Sequence, residues 1–207
     1  KPEVRYNDNS WQWWGETEQG ARQTIIIAKE NKLKVMLKPQ VYIHRGWTGS
    51  LDFISTDDWK LWEAQYAKYI LGMAAIAEEL KVDLFCIGTE FNKSTQKRTS
   101  FWFDLIRKVK SVYRGKLCYS ANWDDYAAVN FWDELDFIGI SAYFPLSDEP
   151  RPDAATLQTA WIPYLQSLEQ FSKQHRKKIL FTEYGYLTVE GCAGKTWELE
   201  KNIRNMT

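Results

Sequence analysis

Five short apolar runs punctuate the chain, with amphipathic stretches between them. Leu33–Ile43 (LKVMLKPQVYI) opens as a strand, and Val82–Glu90 (VDLFCIGTE), Lys116–Trp123 (KLCYSANW), Phe137–Phe144 (FIGISAYF) and Ile179–Tyr186 (ILFTEYGY) follow. Each is bounded by Lys, Asp or Gly and reads as a strand buried on both faces. The segments between them carry helical periods. Glu16–Asn31 precedes the first strand. Asp58–Lys81 puts Trp62, Tyr66, Tyr69, Met73, Ile76 and Leu80 on one face, with Asp57 or Asp58 placed to cap it. Ser100–Tyr113 aligns Trp102, Leu105, Ile106, Val109 and Val112 ahead of Gly115. Tyr126–Leu135 reads as a short helix or turn. Asp153–Gln174 reads as a helix along Leu157, Trp161, Leu165, Leu168 and Phe171, which Pro163 should kink or break near Trp161.

Strands alternating with amphipathic helices predict an α/β fold, a parallel sheet covered by helices. Two architectures satisfy the pattern: a closed (β/α)8 TIM barrel and an open doubly wound sheet. No GxGxxG follows the first strand, which weakens the dinucleotide-binding version of the open sheet. Lys38, Glu90, Asn122, Tyr143 and Glu183 all fall at the C-terminal ends of strands, where barrel enzymes assemble their sites. The barrel is therefore the expected fold, and the five units are set against the eight of a complete one. Residues 1–207 then form a single partial barrel domain covering about strands 3 to 7. About two units are expected before Lys1 and one after Thr207.

Charge narrows the partners. Lys plus Arg and Asp plus Glu number 27 each, and a net charge of zero argues against a nucleic-acid binder or a basic membrane-surface protein. The longest apolar run is far too short to cross a membrane. No signal-peptide pattern opens the chain. Cys86 and Cys118 lie in strand-like runs and read as buried free thiols. GCAGKT at Gly191–Thr196 misses the first Gly of a phosphate loop, which would fall at Val189. His44 and His175 have no ligand-spaced partners, so neither a metal nor a cofactor is implied. What stands out is aromatic content, with 11 Trp, 11 Tyr and 10 Phe. Flat rings with a polar edge suit the C–H faces of sugars, which points to carbohydrate. Trp59, Trp62, Trp102 and Trp161 keep helical spacing and belong to the core. Trp11, Trp13, Trp14 and Trp47 lie in loops expected at the mouth, where one or two serve as sugar platforms.

The sharpest constellation is Glu90 and Glu183. Both close an apolar run through a Thr-Glu step, in FCIGTEF and ILFTEYGY. Burial at a strand end raises a carboxyl pKa, whereas hydrogen bonds and cations lower it. Two carboxyls in unlike surroundings can therefore serve as acid and nucleophile at one pH, the pair that glycoside hydrolysis requires. In these segments, and in VMLKPQ, YSANWDDY and FWDELDFIGISAYFPL, the chain resembles glycoside hydrolase family 113, whose known members are β-mannanases. The resemblance runs from about Trp13 to Trp197. It implies a retaining hydrolase of β-linked polysaccharide, an endo-β-1,4-mannanase, with Glu90 as acid/base and Glu183 as nucleophile. It also places Tyr143 beside the nucleophile. Retention asks for carboxyls about 5–5.5 Å apart. Thr89 departs from the wider clan, where Asn commonly precedes the acid/base, so the sugar 2-hydroxyl contact falls to Thr89, to Asn122, or is not made.

Further substrate-binding candidates are Trp14, Lys38, Asn122 and Trp123. Lys38 reads either as a donor to a sugar hydroxyl or as the cation balancing a buried Glu. Trp123 reads either as a sugar platform or as a cover for the barrel rim. The expected partner is an oligo- or polysaccharide, and secretion or the cell surface is the favoured location. Two other readings of function stay open: a carbohydrate-binding barrel without catalysis, and a hydrolase of another β-hexoside.

Overall fold

The computed structural model describes residues 2–6, 12–43 and 46–199. Among them, helices α1 (Glu18–Glu30), α2 (Thr56–Glu79), α3 (Asn92–Lys97), α4 (Thr99–Val112) and α5 (Ala154–His175) flank strands β1 (Met36–Leu37), β2 (Leu84–Thr89), β3 (Lys116–Asn122), β4 (Phe137–Ser141) and β5 (Lys178–Glu183). The strands form one parallel sheet in the order β1-β2-β3-β4-β5. Sequential parallel strands make successive β/α units of the barrel type, joined through α-helices except between β3 and β4, where the 3-10 turns Tyr126–Ala128 and Trp132–Glu134 take their place.

The sheet is strongly curled. If it were flat, its two edge strands would lie about 19 Å apart, four inter-strand spacings. Yet Lys38, just past β1, forms an ion pair with Glu183 at the end of β5. Two side chains can bridge the edges only if the sheet bends towards a cylinder, with its C-terminal ends forming a mouth.

The outer layer is aromatic. Trp62 and Tyr66 of α2 stack at 4.8 Å, and Trp102 of α4 stacks on Phe131 at 5.8 Å. Phe91, Tyr119 and Trp132 complete a fully buried cluster between these helices and the sheet. Such pairs add about 0.5–1.5 kcal/mol each beyond burial. Trp59, Trp62 and Trp102 thus lie in the core, as helical spacing predicts. The interior of the curl is different. Cys86 and Cys118 are register partners and buried free thiols. Above them the Ser120 hydroxyl meets Ser141 Oγ at 3.0 Å and Thr182 Oγ1 at 2.5 Å. This buried hydroxyl layer forms the floor beneath the mouth.

The structure sharpens four expectations. The β1 ladder stops after Leu37, because Pro39 has no N–H to continue it. Helix α2 is capped by Ser55, whose hydroxyl accepts from Asp57 and Asp58 N–H, so those aspartates occupy the first turn instead of the cap. Of the kink or break expected at Pro163, the break is absent, and helix α5 runs through the proline. Pro163 and Thr159 are both exposed, so the carbonyl that loses its partner is hydrated. The apolar face of α5 is also less buried than its period suggests: Leu168 is buried, whereas Leu165 is 53% exposed. Helix α5 packs on β5, the edge of the sheet, and so has little to cover it on that side.

Candidate active site

Two register slips place the two carboxyls. Cys86 pairs with Cys118 and Thr89 with Ser120, so β2 carries one residue more than β3 over this stretch. On β5, Phe181 pairs with Ile140 and Glu183 with Ser141, again with one extra residue. A bulge of this kind re-aims the side chain that follows it. On β2 the slip turns Gly88 outward, where an added Cβ would lie 2.9 Å from the Trp102 ring. Glu90 then takes φ +56, a left-handed conformation unusual for a residue with a side chain.

Two buried phenols hold the backbone around that turn. Tyr66 Oη donates to the Ile87 carbonyl at 2.9 Å. The Phe91 N–H donates to Tyr119 Oη at 2.7 Å. The Glu90 N–H donates to the Ser120 carbonyl at 2.8 Å.

Glu90 and Glu183 line one cleft with Gln40, Val41, Tyr42, Ile43, Gly46, Trp47, Thr48 and Thr89. The cleft encloses about 550 Å³, open solvent included. Within it the two carboxyls meet unlike surroundings. Burial pushes the Glu90 carboxyl above the ordinary Glu value, and the nearby Glu183 charge pushes it the same way. Hydrogen bonds from Trp47 and Ser141 and the charge of Lys38 oppose them without overcoming them. Trp47 Nε1 donates to Glu90 Oε2 at 2.5 Å. Glu183 instead gathers donors. Lys38 Nζ and Gln40 Nε2 (2.6 Å) reach Oε1, and Tyr143 Oη reaches Oε2 at 3.1 Å.

The structure therefore brings Glu90, Glu183, Lys38 and Tyr143 together. Lys38 stands as a cation beside the Glu183 carboxylate. The remaining candidates make other contacts. Asn122 Nδ2 donates to Asp124 Oδ1 at 2.8 Å. Trp123 packs among Phe144, Tyr164 and Trp197, with Trp197 stacked on one face at 5.8 Å. Trp14 begins a 3-10 turn and is 56% exposed, and Trp13 beside it is 80% exposed. Trp11 and His44 lie outside the described residues. The Thr89 hydroxyl is buried in the cleft wall and, among the described residues, finds no hydrogen-bond partner beyond the nearby Cys86 thiol.

Sequence reasoning missed Gln40 and the specific job of Trp47. Lys38-Pro39-Gln40 held a usable signal. Proline forces the preceding residue to be extended, and positions two apart in extended chain share a side. Tyr42, 82% exposed on the cleft rim, was also passed over. Among the described residues no group of His, Cys, Asp and Glu side chains is arranged to hold a metal ion, and no helix is long and apolar enough to cross a membrane.

The sequence model of Glycoside Hydrolase Family 113 matches residues 3–206. No curated protein matches the chain. Among solved structures, the GH113 β-mannanase of Alicyclobacillus acidocaldarius in complex with ManMIm aligns at 25% identity with a TM-score of 0.78, over 87% of this chain and 56% of that one. A complex of a GH113 β-1,4-mannanase aligns at 30% identity with a TM-score of 0.75, over 86% and 55%. A β-glucuronidase from Ruminococcus gnavus aligns at 10% identity with a TM-score of 0.62, over 90% and 34%, a likeness of fold alone. The chain spans a little over half the length of these mannanase structures.

Proposed function

The chain belongs to Glycoside Hydrolase Family 113, and on that premise we propose that it supplies the catalytic carboxyls of a retaining endo-β-1,4-mannanase. Glu183 is the nucleophile and Glu90 the acid/base. The observation that carries this reading is the contrast between two carboxyls sharing one cleft. Burial raises the Glu90 carboxyl above the ordinary Glu value, which favours its protonated form. Glu183 is met by three donors, Lys38, Gln40 and Tyr143.

In the first step a Glu183 oxygen attacks the anomeric carbon as the glycosidic C–O bond breaks. The proton on Glu90 passes to the departing oxygen. The positive charge developing on the sugar ring faces the Glu183 carboxylate. In the second step Glu90, now ionised, takes a proton from water as that water attacks the same carbon. The glycosyl–Glu183 ester bond breaks, Glu183 leaves as a carboxylate and Glu90 is acidic again. Lys38 and Gln40 orient Glu183 Oε1, and Tyr143 steadies Oε2.

The test uses the full-length protein on β-1,4-mannan and follows new reducing ends. Glu183→Gln should abolish turnover while the fold persists by circular dichroism. Near-normal rates for Glu183→Gln on the substrate that wild type cleaves would overturn the assignment.

A further inference from the structure

Trp47 stands in the loop between β1 and α2, and its position is fixed from several sides. It precedes the 3-10 turn Thr48–Ser50, and the Ser50 hydroxyl donates to its carbonyl at 2.7 Å. Thr48 Oγ1 donates to the Thr89 carbonyl at 3.2 Å, tying the turn to the residue before Glu90. Gly49 is buried beneath the indole, where an added Cβ would fall 2.3 Å from Trp47 Cη2. From that seat the indole N–H meets Glu90 Oε2.

The chemistry of this contact is one-sided. An indole N–H donates and never accepts, and it does not titrate in the working range. It therefore stays on Oε2 whether Glu90 is charged or neutral. A carboxylic acid whose Oε2 accepts from a fixed N–H carries its own proton on Oε1. The other groups that bear on Glu90 are the Glu183 carboxylate, the Lys38 ammonium, the Ser141 hydroxyl and the Tyr119 phenol. None of these is a fixed donor that cannot also accept or titrate. We infer that Trp47 is a positioning residue that reserves Oε1 of Glu90 as the oxygen that delivers and recovers the catalytic proton. This rests on the reading of Glu90 as the acid/base, and it differs from a sugar platform, which uses the ring face and not the N–H.

Two variants test it in the full-length protein. Trp47→Phe keeps a ring and removes the N–H. Gly49→Ala keeps Trp47 but puts a methyl group where its ring sits. Losing a hydrogen bond to the charged form lets the acid hold its proton longer. The alkaline limb of kcat/KM on mannan oligosaccharides should then move up by about one pH unit in both variants. The rate itself should fall about tenfold, a part of the 10²–10⁴ that a placed acid supplies. On 2,4-dinitrophenyl β-mannobioside, whose leaving group needs no proton, kcat/KM should stay near wild type. An unmoved limb, or equal losses on both substrates carried by KM, would mean that Trp47 is only a platform and would overturn the inference. A carbon-13 NMR titration of the Glu90 carboxyl, identified by its loss in Glu90→Gln, separates the two levels of argument. If that titration shifts upward in Trp47→Phe while the wild type hydrolyses no glycan, the proposed activity fails and the N–H contact stands. If it does not shift, the inference fails even in an active enzyme.

Discussion

Removing one oxygen atom, in Tyr119→Phe, tests how the backbone at Glu90 is held. The Tyr119 ring lies 5.4 Å from those of Trp102 and Phe131, and phenylalanine keeps both contacts. No sizeable cavity opens, so the transfer and packing terms nearly cancel. What is lost is the acceptor of the Phe91 N–H, on a residue only 1% exposed. A buried donor left without a partner costs about 1–3 kcal/mol. For a domain of this size each kcal/mol moves Tm by about 2–4 °C, so a fall of roughly 5 °C is expected. Urea unfolding followed by tryptophan fluorescence should show a lower midpoint at unchanged slope. Because Phe91 follows Glu90 directly, the same change should lower kcat on mannan and leave KM near its original value. Tyr66→Phe, which deprives the Ile87 carbonyl of its donor, should act in the same direction with a smaller loss. Stability within about 0.5 kcal/mol of wild type, the range of an ordinary surface change, together with unaltered kcat, would refute the argument that these phenols fix the turn.

Glu90→Gln should make the protein more stable at neutral and alkaline pH. The native carboxyl holds its proton to higher pH than the unfolded chain does, so wild-type stability declines as pH rises through the native pKa, and a neutral amide escapes that decline. Urea midpoints measured across pH should show the gap closing as pH falls below the ordinary carboxylate range; a gap independent of pH would remove burial of this charge as its cause. Pro163→Ala should stabilise helix α5. The change restores an interior N–H at a penalty site of about 3 kcal/mol, offset by about 0.4–1 kcal/mol of unfolded-chain entropy. A thermal melt should rise by several degrees, and a fall would show that the ring packs usefully where the structure leaves it exposed.

The order of strands and helices was legible because period and punctuation are local properties. The reading failed where one segment's structure depends on another. Helix α3 has no apolar stripe (NKSTQK). It is held by its neighbours instead, through buried Ser94 and Thr95 and the Trp102 Nε1 bond to Ser94 at 3.1 Å. Ser55-Thr56-Asp57-Asp58 offers four capping residues in a row, and propensity alone does not choose among them. The two bulges are relations between strands, invisible in either strand alone. Trp47 was legible as a mouth aromatic. Which atom it offers depends on Gly49 beneath its ring and on Thr48 reaching across to β2.

The same logic explains how one local motif yields two chemistries. Thr89-Glu90 and Thr182-Glu183 are alike in sequence, and each Glu comes after an extra residue in its strand. Their strands differ in position. β2 is interior to the sheet, between β1 and β3, and Glu90 turns into a wall made by the loop of Trp47 and the hydroxyl floor. β5 is an edge strand, and curling brings the tail of β1 against it, carrying Lys38 and Gln40, while the tail of β4 adds Tyr143. Desolvation thus acts on one carboxyl, while donors collect around the other. On the proposed reading, the division of labour between acid and nucleophile follows from the order of strands around the curl and not from the Thr-Glu step itself.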